Sequence, residues 1–291
     1  MSAANENAAS PAGAQAEGAE EKNWNKARNL ADHIERATGA LLKGRYTLEI
    51  GCGKGYLAAE LARRGAIVTG TDVHSGSIAA TKQVLEGHPD SRALLLDARA
   101  HDFGAALARP QGFDLIVLNG QIETMFELTH LVQNVFEQLA RGGVVFMRIR
   151  NGFALSNVLQ DVRGKMTGLA LVGPAEWADV TDVAPRYYYR HWEALEAIFR
   201  FTGFNSIEFA SQAVDRDIPS LAAAVQSGIV RIRRELKAEN FKTLAAFKKI
   251  RLASVDYCER AKADLQTCAF EELSRRYRIP EWDVVLRHTQ A

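Results

Sequence analysis

The sequence is poor in the features that staple or anchor a chain. Its 291 residues hold three cysteines, Cys52, Cys258 and Cys268, with no Cys-x-x-Cys pair. An odd, scattered set of thiols argues against a disulfide framework and a structural zinc site, and it suits a reducing cytosol. No stretch approaches the roughly 18 apolar residues of a spanning helix. The first 21 residues lack the Lys or Arg that opens a signal peptide. A cytoplasmic address without integral membrane association is therefore expected. Excess charge is missing too, since 36 Lys+Arg stand against 35 Asp+Glu, a formal charge of +1. With no whole-molecule field to gather it, nucleic acid is not an expected partner. What is present is an ordinary globular composition, 47% hydrophobic and 24% charged, in a length that suits one elaborated domain or two small ones.

Residues 1–21 are mostly Ala, Glu, Asn, Gly and Ser with no aromatic residue, and composition assigns them to a disordered tail. Ala27, Leu30, Ala31, Ile34, Ala37 and Leu41 then recur at spacings of three and four, which predicts a helix from Trp24 to Leu42. Strand and helix patterns alternate after it. Strands are expected at Tyr46–Ile50, Ala66–Gly70, Ala93–Leu96, Phe113–Leu118 and Val144–Ile149, the last following an Arg141-Gly142-Gly143 turn. Helices are expected at Leu57–Arg64, Ile78–Leu85 and Met125–Ala140. This βαβ syntax predicts an α/β fold, a Rossmann-like doubly wound sheet whose ligand crevice lies at the carboxyl ends of its strands. Residues 151–185 loosen into a lid candidate. His191–Phe201 reads as a helix and Asn205–Ala210 as a strand. Residues 214–279 read as a helical insertion, after which Trp282–Leu286 returns as an antiparallel strand near the sheet edge. The domain so defined is 22–213 with 280–291. The eight Lys/Arg of Arg231–Arg251 suggest a solvated face, and the apolar stripe beneath them a core contact or a homodimer surface.

The most informative stretch is Glu49-Ile50-Gly51-Cys52-Gly53-Lys54-Gly55 between a strand and a helix. Alternate glycines let backbone N–H groups close on a ligand with a helix N-terminus behind them. A dinucleotide fingerprint needs a further glycine at 56, where this chain has Tyr56, and the phosphate loop of NTPases needs a Gly-Lys-Ser/Thr ending that is missing. Asp72 ends the next strand, where a carboxylate can accept both hydroxyls of a ribose. Asp97 and Ala98 follow the third strand, where a side-chain acceptor and a backbone N–H can read an adenine edge. Asn119 ends the fourth. Four strand tips thus converge on one nucleoside-sized site.

The run Leu48 to Ala58, with Ala62-Arg63-Arg64-Gly65-Ala66 and Val68-Thr69-Gly70-Thr71-Asp72, resembles the class I S-adenosylmethionine-dependent methyltransferases, especially the branch with ubiquinone-biosynthesis O-methyltransferases. The resemblance covers about Tyr46–Ile149 and resumes at Trp192–Phe209. It implies S-adenosylmethionine as cofactor and S-adenosylhomocysteine as product. It also implies that Gly51, Cys52, Gly53 and Gly55 wrap the methionine end, Glu49 organises that loop, Asp72 and the adjoining Val73 hold the ribose, Asp97 and Ala98 meet adenine, and Asn119 lies near the sulfonium. Two departures stand out. Gln121-Ile122-Glu123-Thr124 replaces a Leu-Glu-His triplet of many small-molecule members, and no Asn-Pro-Pro-Tyr signature of base or glutamine methylation follows the fourth strand. The resemblance therefore implies methyl transfer to a hydroxyl of a small metabolite or glycan, with transfer to an amine of a small molecule as the alternative. A catalytically silent cofactor-binding scaffold and a nicotinamide-dependent oxidoreductase are the readings from other classes. Candidate proton acceptors are Glu123 and His191, the latter in the aromatic run Arg186-Tyr187-Tyr188-Tyr189-Arg190-His191-Trp192. Cys52 reads as a small packing residue. The remaining histidines show no ligand spacing, so no metal is expected.

Overall fold

A computed structural model describes residues 11–159, 167–173, 177, 187–210, 218–237, 241 and 243–289. In chain order the elements are α1 (Pro11–Thr38), β1 (Tyr46–Ile50), α2 (Tyr56–Arg63), β2 (Ile67–Asp72), α3 (Ser75–Val84), β3 (Arg92–Leu95), α4 (Phe103–Leu107), β4 (Phe113–Asn119), α5 (Thr129–Glu137), β5 (Leu139–Arg150) and α6 (Leu155–Leu159). They continue with α7 (Trp192–Thr202), β6 (Ser206–Phe209), α8 (Ile218–Glu235), α9 (Leu244–Thr267), α10 (Phe270–Leu273), a π-helical turn at Ser274–Arg278 and β7 (Glu281–Arg287).

The seven strands form one sheet in the order β3-β2-β1-β4-β5-β7-β6. β1 to β5 pair in parallel, and β7 runs antiparallel to both β5 and β6. Alternation along the strands fills two layers. Leu48, Ile50, Ile116, Leu118, Val145 and Met147 face α4, α5 and α7 through Phe103, Leu131, Val135, Leu195 and Phe199. Leu115, Val117, Val144, Phe146 and Val285 face α1 and α2 through Leu30, Ile34, Leu57 and Leu61. Burial on both faces explains the near-continuous apolar runs of the central strands.

The expected doubly wound sheet is present, but the sequence pattern did not give α4, α5 begins at Thr129 rather than Met125, and three further differences lie at α1 and β5. Helix α1 begins at Pro11, so the expected tail overlaps it from that residue, with residues 18–22 as exposed turns. It stops at Thr38, whose hydroxyl turns back to Ile34 O at 2.7 Å, short of the expected Leu42. The helix expected to reach Ala140 ends at Glu137, because Leu139 already pairs with Phe113; residues between that pair and Leu115↔Val144 are a bulge inside β5. Gly143 permits the bulge, since a Cβ there would stand 2.8 Å from Phe113 O.

The insertion packs Leu221, Val225, Ile229 and Ile232 of α8 against Tyr257, Cys258 and Ala261 of α9, and both against Leu155 and Val158 of α6. Leu252 and Val255 of α9 and Val230 of α8 stay exposed. Residues 160–166, 174–176 and 178–186, which include much of the expected lid and Arg186, lie outside the described residues.

Candidate active site

β1 delivers Glu49 and Ile50 to the carboxyl edge of the sheet, where the chain must turn at once to begin α2. Gly51 makes that turn at φ 74°. Gly51 N–H and Cys52 N–H both donate to Thr71 O, at 2.7 and 2.9 Å, tying the loop to β2. Gly53 follows at φ +56° with open space where a Cβ would stand, and its N–H donates to Asp72 Oδ2 at 3.0 Å. Asp72 Oδ1 accepts from His74 N–H at 2.9 Å. Asp72 therefore joins the glycine loop to the start of α3, and each of its oxygens retains a lone pair for a ligand hydroxyl. Gly55 differs in kind, because at φ +80° its Cβ would stand 2.8 Å from Thr81 Cα; it lets α2 lie close to α3.

Glu49 is 3% exposed. Burial pushes its carboxyl up to about 8; the Ala58 backbone N–H opposes that rise and the Asp72 charge adds to it. Its Oε2 has no hydrogen-bond partner among the described residues. Cys52 is also buried, with Sγ 3.4 Å from Thr81 Oγ1. Burial pushes its thiol up to about 12, which leaves no thiolate for nucleophilic chemistry at neutral pH.

A cleft of about 820 Å³ opens between this loop and α1. Glu49, Gly51, Cys52 and Asn119 of the expected set line it together, joined by Tyr56 and Leu57. Gln121 lies across Gly51, with Nε2 3.4 Å from Gly51 O. The buried Glu49 carboxyl, with one oxygen unpartnered on the cleft wall, fits a ligand that brings a hydrogen-bonding or cationic group; Gly53, Gly55, Asp72 and Val73 are not among the residues that line this cleft. Asp97 and Ala98 stand farther along the same edge, after β3. Asp97 is held below the usual carboxylate range chiefly by Arg99, with Nη2 2.6 Å from Oδ2. Ala98 is buried and its O accepts from Asn134 Nδ2 at 2.8 Å. Val73 is 52% exposed beside Asp72.

Of the two candidate proton acceptors, Glu123 lines neither the cleft nor the cavity that holds His191. Glu123 is buried; burial raises its carboxyl above the usual range while N–H groups of Glu123 and Arg150 oppose the rise. Its Oε2 also lacks a partner among the described residues. His191 lines a different cavity of about 220 Å³ with Trp192, Tyr257, Tyr277 and Trp282, under the insertion. Its ring stacks on Phe153 at 3.9 Å, and burial, then the Arg260 charge, holds it below the ordinary histidine range. The aromatic run itself is largely a clamp: Tyr188 packs on Phe126 at 5.6 Å, Tyr188 N–H donates to Glu123 O at 2.6 Å, and Arg190 donates to Met125 O and Phe126 O.

Sequence reasoning missed the opposite wall. Lys26, Asn29, His33 and Arg36 of α1 line the cleft, and their spacings of three, four and three were a visible polar stripe beside the apolar one. Arg148 and Glu281 complete that wall. Arg148 grips Asp283 across the β5–β7 register with bonds of 2.6 and 2.8 Å. His33 Nε2 lies 2.9 Å from the same carboxylate, off the line of a directed hydrogen bond, and its ring meets Phe146 edge-on at 5.7 Å. Among the described residues no group of three or more His, Cys, Asp and Glu gathers as metal ligands.

Residues 48–145, which carry the loop and the strand tips, match the family described as a methyltransferase domain. That match takes in about a third of the chain. The domain is similar to the ubiquinone biosynthesis O-methyltransferase of Coxiella burnetii, 30% identical over 38% of this chain and 45% of that one. It is also similar to the trans-aconitate 2-methyltransferase of Delftia acidovorans, 28% identical over 57% of this chain and 64% of that one. The chain thus spans about half the length of the first of these relatives. In fold, the methyltransferase domain with its flanking helices is similar to phosphoethanolamine N-methyltransferase 2 of Haemonchus contortus, solved with phosphomonomethylethanolamine and S-adenosylhomocysteine. That likeness has a TM-score of 0.52 over 92% of this chain and 53% of the other at 19% identity.

Proposed function

We propose that this chain is an S-adenosylmethionine-dependent methyltransferase that methylates a hydroxyl of a small metabolite or glycan. The observation that carries the reading is the cleft wall where the Gly51-Cys52 turn, the unpartnered Glu49 oxygen and Asn119 meet at the carboxyl edge of β1 and β4. Gly51, Cys52, Gly53 and Gly55 would enclose the methionine end, with Glu49 beneath them. Asp72 and Val73 would take the ribose, Asp97 and Ala98 the adenine, and Asn119 the region of the sulfonium. Asp97 would exchange part of its Arg99 contact for the adenine amine.

When bound, the cofactor supplies a methyl group made electrophilic by positive sulfur. The chain's task is then to hold the acceptor in line, and positioning of that kind lowers a barrier by up to roughly 7–11 kcal/mol. Proton removal from the hydroxyl falls to Glu123 in this reading, because its raised affinity for protons makes it a stronger base than an exposed carboxylate. His191, which lines the second cavity, is the other candidate.

Calorimetric titration of S-adenosylhomocysteine tests the cofactor assignment. We predict that Asp72→Ala weakens binding at least tenfold, a loss of about 1.4 kcal/mol, and unchanged affinity would refute the ribose role. Incubation with methyl-labelled cofactor and fractionated cell extract, followed by mass spectrometry, tests turnover. A labelled hydroxyl supports the acceptor class, a labelled amine overturns it, and cofactor binding without any labelled product favours a silent scaffold.

A further inference from the structure

The cavity under the insertion shares no lining residue with the cofactor cleft and has a chemistry of its own. Its floor is aromatic. Trp192 at the start of α7, Tyr257 of α9, Tyr277 of the π-helical turn and Trp282 of β7 are all buried, and half-buried Phe153 adds another ring. The polar atoms of these rings are spent on holding the walls. Tyr257 Oη donates to Phe153 O at 2.7 Å, Tyr277 Oη to Asp264 Oδ2 at 2.6 Å, Trp192 Nε1 to Glu196 Oε2 at 3.0 Å and Trp282 Nε1 to Arg275 O at 2.9 Å. Asn151 is likewise committed, its Nδ2 donating to three carbonyls and its Oδ1 accepting from Phe153 N–H. What remains for a ligand is ring surface, set at steep angles, with Trp192 on Trp282 at 5.7 Å and Tyr257 on Tyr277 at 5.8 Å. Such a surface favours another flat ring and offers nothing to pair a buried charge.

The charges that line the cavity favour neither sign. Arg276 is shared by Glu193, Asp264 and Glu272, at 2.9, 2.7 and 2.6 Å, and has little field left for an anion. Asp256, exposed at the rim, repels an anion as well. Arg260, one turn farther along α9, repels an organic cation. Its Nη1 stands 3.4 Å from His191 Nε2, and His191 stacks on Phe153 at 3.9 Å. Guanidinium and imidazole thus converge at the edge of the ring floor, where one ligand oxygen can accept an N–H from Arg260.

We propose that this cavity of about 220 Å³ is a binding site for an uncharged planar aromatic ring that carries a hydrogen-bond-accepting oxygen, the ring held by Trp192, Tyr257 and Trp282 and the oxygen by Arg260. The walls come from elements distant in sequence and are tied by their own hydrogen bonds, so the site is formed before its ligand arrives. The proposal does not rest on the cofactor reading.

The test titrates acetophenone into the full chain by calorimetry, without cofactor, beside cyclohexyl methyl ketone as the saturated counterpart and benzoate and benzylammonium as the charged ones. Acetophenone is expected to bind in the low millimolar range or tighter and to shift the indole N–H resonances of Trp192 and Trp282. The other three are expected to bind roughly tenfold more weakly or not at all. Ala253→Phe, which fills the cavity from α9 and removes no wall ring, is expected to abolish binding with unchanged circular dichroism. Arg260→Ala, at the exposed rim, is expected to weaken it about threefold or more. The inference falls if acetophenone does not bind, if the saturated ketone binds as tightly, if either charged compound binds more tightly, or if the two indole signals do not move. Displacement of acetophenone by S-adenosylhomocysteine would put the ring in the cofactor cleft and also overturn it, as would parent-like binding by Ala253→Phe. Should Ala253→Phe fail to fold, Arg260→Ala decides, and unchanged affinity there refutes the oxygen contact. Failure of S-adenosylhomocysteine to bind the parent sinks the methyltransferase reading and leaves this result as it is.

Discussion

Gly53 and Gly55 stand two residues apart in one loop and do different physical work. A methyl group on Gly53 meets open space, so Gly53→Ala strains a φ of +56° and projects into the cradle. A methyl group on Gly55 meets the α3 backbone at 2.8 Å. We predict that Gly53→Ala lowers S-adenosylhomocysteine affinity at least tenfold and stability by only about 1 kcal/mol. Gly55→Ala should cost about 1–3 kcal/mol of stability through overpacking, read from urea unfolding. Equal stability losses for the two would refute the distinction. The sequence motif named both glycines and could not separate them, because the difference lies in what α3 presents to each. Asp283 is the residue that pattern reading had least chance of finding. It came to hold Arg148, which lines the cleft, only when β7 paired with β5 and set the two side by side. Asp283→Ala leaves a half-buried guanidinium unpaired and is expected to cost about 3–5 kcal/mol. Asp283→Asn, which keeps the shape, should cost less.

At the scale of elements, α1 closes the cleft because α2 grips it. Arg64 bonds Glu60 at 2.8 Å, and Asp32 and Glu35 at 2.7 Å. The Glu60 carboxyl is 2% exposed and is also held by Arg63. We predict that Arg64→Ala raises amide hydrogen exchange in α1 at least tenfold while leaving β1, β4 and β5 protected, since their bonds sit between two covered faces. Uniform loss of protection would show instead that α1 is part of the global folding unit. The apolar stripe from Ala27 to Ile34 was legible, since its period alone places those residues inward. The bulge in β5 was not, because Arg141-Gly142-Gly143 reads as a turn until β4 is seen to supply Phe113 as the partner of Leu139.

For the whole molecule, two linkages follow. S-adenosylhomocysteine at a hundredfold excess over its Kd should stabilise the chain by about 2.7 kcal/mol, and a thermal-shift series that shows no rise would contradict the cofactor assignment. Glu49 sets a pH dependence of definite sign. Its carboxyl binds a proton more tightly in the folded chain, about 8, than at its ordinary value of 4.5. The folded state therefore keeps a proton that the unfolded state has lost, and stability falls as pH rises from about 4.5 to about 8. Glu60 acts in the opposite sense, held low chiefly by Arg63, and its contribution is lost as pH falls. Comparison with Glu49→Gln isolates the first effect: the variant should gain on the parent through that window, and parallel curves would refute it. The sequence by itself determined the layered α/β fold, the glycine loop and the order of the strand tips, because strand period, helix period and glycine placement are local properties of the chain. Tertiary structure decided what faces that loop. The α1 wall, the Arg148 and Asp283 pair and the seating of His191 in a second cavity arise from contacts between residues distant in sequence, and no local pattern encodes which distant side chain arrives.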